Sequence, residues 1–287
     1  MFYDYGGSLL KPLKIMLRIT TICIIVALYS ISSAFSQETT KPEDEASKKE
    51  ALEKAAQNPI ASMYVLPFQN NTQFGIGEFN RTQNVTNIQP VIPVGIGENT
   101  NLIIRTIIPL TNQPIGENDS KFGLGDIALS LFFTPKKPGK LIWGVGPALG
   151  LPTASDPVLG TEKWSAGPAI ILLTQPKGWT LGLTAQNTWS FAGNSDRTDV
   201  NAFYLNAFVV KNLKKGWYVN SSPIITADWN APDGQQWLVP VGVGTGRVFR
   251  MGKLPVNAQA GYYNYVVAPD NGPKWQLRAQ FNFMFPK

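Results

Sequence analysis

Residues 274–285 read KWQLRAQFNFMF, and the polarity of the side chains alternates along this stretch. The apolar alternate positions are Trp275, Leu277, Ala279, Phe281, Phe283 and Phe285. The opposite positions are Gln276, Arg278, Gln280, Asn282 and Met284. Because successive side chains of a β-strand point to opposite faces, the stretch predicts a strand with one apolar and one mostly polar face. Repeated segments of this kind are typical of a transmembrane β-barrel.

The same two-residue period recurs upstream, in residues 178–186, 237–246 and 254–263. We predict that the apolar set faces lipid and that the polar or glycine set faces the lumen. After residue 36, no stretch approaches the roughly 18 continuous apolar residues of a membrane-spanning helix. A closed barrel is then the membrane-spanning fold that satisfies every backbone polar group.

We predict an all-β fold of twelve antiparallel strands. They cover residues 60–69, 82–93, 100–110, 124–134, 140–151, 163–174, 178–191, 199–211, 216–228, 236–249, 254–267 and 274–285. The connections alternate between short turns (95–99, 135–139, 175–177, 212–215 and 250–253) and longer loops (70–81, 111–123, 152–162, 192–198, 229–235 and 268–273). Short periplasmic turns and longer extracellular loops are expected of outer-membrane barrels, so both termini are predicted to be periplasmic.

The tryptophans lie within a few residues of predicted turns. Since an aromatic ring with a polar edge is favoured at the headgroup level of a membrane, we predict two interface belts. Their members are Trp143, Trp164, Trp179, Trp189, Trp217, Trp229, Trp237 and Trp275.

The first 36 residues have the layout of a cleaved signal peptide. Basic residues precede an apolar run at 19–31, and Ala34 and Ser36 supply small residues for cleavage. This run is shorter than the roughly 20 residues of a spanning helix. Met16 is an alternative start. We therefore expect export to the bacterial outer membrane.

Residues 37–57 are charged and contain neither glycine nor aromatic residues, unlike the barrel predicted for residues 58–287. Three interpretations stay open for this segment: a short periplasmic helix, a plug for the lumen, or a solvated tail.

The chain contains no histidine, and its single cysteine, Cys23, lies within the predicted signal. Histidine is the usual general base near neutral pH, and His or Cys side chains are the usual zinc ligands. We therefore expect no enzyme activity, no catalytic residues, no metal and no cofactor. The 25 Lys and Arg are nearly balanced by 19 Asp and Glu, which does not favour nucleic acid as a partner.

Alternation places a set of polar side chains on the lumen face. Lipid exposure would cost Arg or Lys about 2–4 kcal/mol at the bilayer midplane, which favours the inward direction for the two arginines. Either these groups line an aqueous path, or the arginines pair with the aspartates as a buried polar core. The candidates are Arg105, Asp126, Gln186, Asn206, Asp228, Gln259, Tyr263 and Arg278.

Several motifs resemble a family of bacterial outer-membrane barrels, the MetA-pathway (phenol degradation) group, whose members are sometimes mislabelled neuromedin U. The motifs are Lys54–Pro59, Leu66–Asn71, Phe122–Asp126, Lys140–Pro147, Trp189–Gly193 and Ser221–Ile225. The resemblance implies the barrel fold and transport of small hydrophobic or aromatic compounds, and it offers no catalytic motif. The pattern Phe281-x-Phe283-x-Phe285 is similar to the terminal signal read by the barrel-assembly machinery.

The sequence thus predicts a passive outer-membrane channel or transporter for small solutes, with apolar or aromatic compounds as the expected class. Its expected surroundings are outer-membrane lipid and lipopolysaccharide. The alternative is a closed barrel whose loops carry a structural or surface-interaction role.

Overall fold

The computed structural model describes residues 50–285. The predicted signal peptide and most of the charged segment 37–57 lie outside the described residues. Residues 50–56 are helical, and two 3₁₀ turns lie at Pro157–Leu159 and Lys214–Gly216. No helix of this part of the chain has the length and apolar character needed to cross a bilayer.

The strands form one continuous antiparallel sheet. Their bounds are β1 Tyr64–Ile76, β2 Arg81–Ile88, β3 Val91–Ile96, β4 Thr100–Ile115, β5 Asp119–Leu124, β6 Ile127–Pro135, β7 Leu141–Leu151, β8 Lys163–Thr174, β9 Trp179–Gly193, β10 Asn201–Asn212, β11 Trp217–Ser221, β12 Ile224–Asp228, β13 Trp237–Met251, β14 Leu254–Val267 and β15 Trp275–Phe285.

Three pairs of these segments each make one interrupted barrel strand. Segments β2 and β3 both pair with β1 and β4, and segments β11 and β12 both pair with β10 and β13. Segments β5 and β6 both pair with β4. The last strand, β15, pairs with β1 along its whole length, from Phe285 beside Tyr64 to Trp275 beside Phe74. The sheet therefore closes into a barrel of twelve antiparallel strands, which confirms the predicted fold.

The interruptions fall at Gln89-Pro90, Gly125-Asp126 and Ser222-Pro223. The predicted strands 82–93 and 216–228 ran without interruption across the first and third of these positions, and the predicted strand 124–134 began at the second. Proline lacks the N–H that a central strand donates to its neighbour, which accounts physically for the breaks at Pro90 and Pro223.

Two of the predicted long loops are wrong. The segments 70–81 and 111–123 are mostly strand, because β1 extends to Ile76 and β4 to Ile115. The first hairpin is rich in Asn and Thr, which made it read as a loop. Its outward side chains bond one another instead, since Asn70 donates to Asn84 at 2.9 Å and to Thr86 at 2.8 Å.

We name the two ends of the barrel by their connections. The short-turn end carries the turns after β3, β6, β8, β10 and β13, together with the start of β1 and the end of β15. The long-loop end carries the longer loops 152–162, 194–200, 229–236 and 268–274, and the two tight hairpins.

The two-faced pattern of β15 is confirmed. Leu277 is 46% exposed and Phe281 is 51% exposed on the outer face, whereas Gln276 and Arg278 are buried inside. The barrel therefore presents its apolar residues to the surroundings and encloses polar ones along this strand.

The separation into outward apolar and inward polar or glycine residues, predicted for residues 178–186, 237–246, 254–263 and 274–285, does not extend to β6 and β8 at the short-turn end. Ile171 and Leu173 of β8 point inward and are buried, as is Phe132 of β6. They pack around Ile60 of the N-terminal segment, which we define as residues 50–63. An apolar core thus lies inside the barrel, because the segment supplies the surface that covers these side chains.

Candidate functional site

The lumen contains a cavity of about 170 Å³. We call it the lumen cavity. Its wall is formed by inward side chains of β1, β3, β4, β10, β11, β12, β14 and β15, together with Gln89 and Ser222 at two strand interruptions. Residues 55–59 of the N-terminal segment close part of it. A cavity inside a closed barrel is the kind of concave site where small molecules bind, so it is the candidate functional site.

Arg278 projects from β15 into the cavity wall and is only 5% exposed. Its Nε donates to Asn71 Oδ1 at 3.0 Å, and its Nη1 donates to the backbone carbonyl of Ser222 at 2.7 Å. The guanidinium also lies 4.6 Å from the ring centroid of Tyr263, at a distance that is favourable for a cation over an aromatic face. Three contacts therefore hold this charge in place.

A chain of hydrogen bonds supports Arg278 from the long-loop side. Gln276 donates to Asn71 Oδ1 at 2.9 Å, and the hydroxyl of Tyr265 donates to Gln276 Oε1 at 2.6 Å. Gln73 donates in turn to the Tyr265 hydroxyl at 2.8 Å. The chain of hydrogen bonds runs without a break from Arg278 to Gln73, so the network fixes the orientation of the arginine.

Arg105 lines the same cavity from β4. Its Nη2 donates to Gln89 Oε1 at 2.9 Å, and the amide of Gln89 donates to Gln69 Oε1 at 2.7 Å. Gln89 directly precedes Pro90, where the second barrel strand is interrupted.

Within residues 50–285 neither arginine has a carboxylate partner. The ion pairs of this range join Lys54 to Glu50, Lys121 to Asp156, Lys163 to Asp199 and Arg197 to Glu162. Moreover, no Asp or Glu lines the lumen cavity. The pairing of Arg105 and Arg278 with Asp126 and Asp228, one of the two alternatives from the sequence, is therefore not found in this range.

Asp126 and Asp228 lie outside the lumen cavity. The carboxylate of Asp126 accepts hydrogen bonds from the backbone N–H of Ala154 at 3.1 Å and of Thr161 at 2.7 Å, so it organises the loop 152–162. Asp228 ends β12 and accepts the N–H of Asn230 at 3.0 Å. Both carboxylates thus organise connections at the long-loop end.

The other predicted lumen residues point into the barrel. Asn206 and Gln259 line the cavity, and Tyr263 lies under Arg278 with 1% exposure. Gln186 accepts a hydrogen bond from Ser130 at 3.3 Å on the opposite wall. Their part in conduction stays a prediction.

Several residues of the site were not predicted from the sequence. Asn71 fell in a predicted loop, although its alternation with Gln69 continues the inward face of β1. The backbone carbonyl of Ser222 carried no sequence signal beyond the proline that follows it. Gln57 and its neighbours were considered for a plug without any expected contact.

The N-terminal segment is bound inside the short-turn end by hydrogen bonds. The hydroxyl of Thr180 donates to Gln57 Oε1 at 2.7 Å, and Gln57 Nε2 donates to the side-chain oxygen of Asn212. Gln175 donates to the carbonyl of Lys54 at 2.8 Å. These bonds join the segment to the turns and strand ends around β8, β9 and β10.

Apolar contacts add to this docking. Ile60 is 3% exposed and packs in a cluster with Ile103 and Phe132. Leu52 and Ala56 pack against a second cluster that includes Tyr218 and Met284. The segment therefore fills the short-turn end of the lumen.

Buried and exposed charges are paired at the long-loop end. Lys163 Nζ lies 3.0 Å from Asp199 Oδ1, and the Ser190 hydroxyl lies 3.0 Å from the same oxygen. The hydrogen bond from Lys163, followed by that from Ser190, lowers the pKa of the Asp199 carboxyl below its ordinary value. In the neighbouring loop, the hydrogen bond from Lys121 lowers the pKa of Asp156 in the same way.

The tryptophans lie near strand ends. Trp179, Trp217, Trp237 and Trp275 are the first residues of β9, β11, β13 and β15. At the long-loop end Trp229 stacks edge-on with Trp237 at 5.2 Å between ring centroids, and its indole N–H donates to Asn187 at 2.8 Å. A ring with one apolar face and one bonded polar edge suits a membrane interface.

No protein-family model and no curated protein match the sequence. Among solved structures, the barrel is similar to the COG4313 outer membrane channel from Pseudomonas putida F1, at 15% identity and a TM-score of 0.59. That likeness covers 78% of this chain and 94% of the channel. The NanC porin is also similar, at 9% identity and a TM-score of 0.50, over 77% of this chain and 100% of the porin. At these identities the likeness shows a shared barrel fold.

Proposed function

We propose that this chain is a passive outer-membrane channel for small solutes and that the N-terminal segment restricts its short-turn end. The solutes would pass through the lumen cavity, past the two arginines and the apolar side chains of its wall. The short-turn end would face the periplasm and the long loops the outside. Lipid and lipopolysaccharide would surround the outer face.

The observation that carries this proposal is the lumen cavity itself. A structural barrel has no need of an internal space lined by two arginines and several carboxamides. Rings of charged and polar groups are how aqueous pores select solutes. The two solved barrels with similar folds are described as a channel and a porin, which supports the same class of function.

Small aromatic or other apolar solutes are the substrates that we propose. Part of the cavity wall is apolar, with Tyr204, Phe208 and Ile224 among its members. The resemblance of the sequence motifs to the phenol-degradation barrels favours the same class.

The test is single-channel conductance in planar bilayers. The full mature chain is compared with a deletion of residues 37–61, which removes the helical turns, Gln57 and Ile60. We expect the deletion to raise the conductance or the open fraction, because the docked segment no longer narrows the lumen. A deletion of residues 37–49 is the matched control, since it shortens the same terminus and keeps every contact described above.

One observation favours a second candidate, a closed barrel with a structural or surface-interaction role. The apolar core around Ile60 fills the short-turn end, and a permanently filled lumen would not conduct. Correctly folded protein that stays silent in bilayers, both intact and without residues 37–61, would establish this alternative and exclude the channel.

A further inference from the structure

The positive charge of the lumen cavity has no counter-charge on its wall. Arg278 is 5% exposed, and both it and Arg105 line a cavity without Asp or Glu. A buried charge that lacks an opposite charge is strongly unfavourable. Carboxamide and carbonyl oxygens of Asn71, Ser222 and Gln89 offset only part of this cost, since they carry partial charges.

The guanidinium groups also keep hydrogen-bonding capacity. An arginine has five N–H groups in a planar fork. The contacts above use two of them on Arg278 and one on Arg105. A carboxylate accepts two parallel hydrogen bonds from such a fork, so it can supply both the missing charge and the missing acceptors.

We infer that the lumen cavity is a binding site for a small organic anion, in which a carboxylate meets Arg278 and Arg105 and a single-ring apolar body rests on the apolar wall. This inference rests on the proposed channel function and specifies the charge of its substrate. The ligand is therefore an anionic aromatic or similarly sized apolar acid, in preference to a neutral hydrocarbon.

Apolar side chains of the cavity wall fit the apolar part of such a ligand. Tyr204, Phe208, Val210 and Ile224 line the cavity from β10 and β12, and Val91 lines it from β3. The apolar body of a ligand can cover these side chains without leaving polar groups of its own unpaired. The wall thus accommodates a ligand with one charged and one apolar end.

The size of the cavity limits the body of the ligand to about one ring. Its volume is about 170 Å³, and an engineered apolar cavity of roughly 150 Å³ in another protein holds one benzene molecule. A benzoate-sized acid matches this space, whereas a disaccharide or a long-chain fatty acid exceeds it.

The first experiment measures binding to the detergent-solubilised full mature chain by isothermal titration calorimetry. The probes are benzoate, its neutral isostere benzamide, and acetate, which has the carboxylate without the ring. We expect benzoate to bind at least about tenfold more tightly than either of the others, because charged hydrogen bonds and apolar burial each contribute at least about that factor. Equal affinities for benzoate and benzamide would overturn the inference.

Substitutions of the arginines test whether these side chains bind the carboxylate of benzoate. Arg278→Gln should weaken benzoate binding at least about tenfold and bring its affinity close to that of benzamide. Arg278→Lys should restore part of the preference, because it keeps the charge but loses the planar fork. The matched control is Arg250→Gln, which removes an exposed arginine outside the cavity and should leave binding unchanged.

A folding check keeps the result interpretable. Each variant is first shown to keep the heat-dependent electrophoretic mobility of a folded barrel. If Arg278→Gln does not fold, Arg105→Gln provides the same test from the other side of the cavity. Benzoate binding that is unaffected in a folded arginine variant contradicts the site.

Conductance separates this inference from the proposed function. In bilayers, millimolar benzoate should block the current through the wild-type chain, and benzamide should not. Benzoate binding by calorimetry in a barrel that never conducts would support the site and refute the channel. If the chain conducts, but benzoate neither blocks nor carries the current and shows no binding by calorimetry, the channel is supported and the anion site is refuted.

Discussion

Ile60 is the residue whose truncation most directly tests how the N-terminal segment is held. Its side chain is 3% exposed and packs against Ile103 and Phe132 inside the short-turn end. Gly144 leaves the room for it, since a Cβ on that glycine would lie 3.4 Å from Ile60 Cδ1 and 3.1 Å from Phe132 Cβ. Ile60 thus occupies a socket formed by barrel residues.

The change is Ile60→Ala. Truncation of a buried isoleucine to alanine costs about 2–5 kcal/mol. If the segment undocks while the barrel stays closed, the truncation destabilises only the docked state of the segment. A loss of about 3 kcal/mol then raises the undocked fraction on the order of 100-fold. The barrel strands keep their hydrogen bonds, so the thermal unfolding of the barrel should change little.

The assay is thiol labelling. The predicted mature chain has no cysteine, so Ala56→Cys introduces a single thiol in the docked helix, where Ala56 packs against the second apolar cluster. If the thiol reacts only after the segment undocks, we expect it to react on the order of 100-fold faster in the Ile60→Ala background.

Ile170→Ala is the matched control. Ile170 precedes buried Ile171 in β8 but points outward and is 37% exposed. Its truncation should leave the labelling rate at the wild-type level. If Ile60→Ala and Ile170→Ala give equal rates, the socket does not hold the segment and the docking argument is wrong.

Two further predictions concern the barrel wall and the loops. Gly146→Ala should lower the thermal unfolding midpoint, because a Cβ at Gly146 would lie 1.8 Å from the carbonyl oxygen of Leu131 and overpacking costs about 1–3 kcal/mol. The control Gly139→Ala should leave the midpoint unchanged, since its Cβ would meet nothing within 4 Å. Equal midpoints for the two variants would contradict the close approach at Gly146. Because Lys163 lowers the pKa of Asp199 in the folded chain, the stability from this contact is present above the pKa of the unfolded chain and is lost as pH falls through the folded pKa. The midpoint difference between wild type and Asp199→Asn should therefore shrink as the pH falls below the ordinary carboxyl pKa of about 4, and a difference that grows or stays constant on further acidification would refute the assignment.

The sequence predicted the closed barrel well because alternation of polarity is a local property. In β15 it identified the outward residues Leu277 and Phe281 and the inward residue Arg278, and the structure confirms these directions. It failed in β1, where Asn70 and Thr72 face outward although they are polar. These side chains satisfy one another across the hairpin through Asn84, and a pairing between strands is not visible in the polarity of one strand.

The site was predicted less completely for a related reason. Alternation gives the face on which a side chain lies but not its height along the barrel. Arg105 and Arg278 were assigned to the lumen together with Asp126 and Asp228, and the structure places the two aspartates outside the cavity, at the long-loop end. Ile60 was assigned to the first strand. A single buried apolar residue forms no periodic pattern, so its packing inside the barrel could not be predicted from the sequence.

The two strand interruptions that contain proline are part of the site. Gln89, which holds Arg105, immediately precedes Pro90, and Ser222, which holds Arg278, immediately precedes Pro223. A proline donates no ladder hydrogen bond and restricts the residue before it to extended conformations. The interruption at Pro223 therefore leaves the carbonyl of Ser222 free to turn towards the lumen. In an unbroken strand, this carbonyl would accept a hydrogen bond from a neighbouring strand. Each arginine of the lumen cavity is thus held by a residue that stands at a break in the barrel wall, so the feature that weakens the sheet locally also positions the charge.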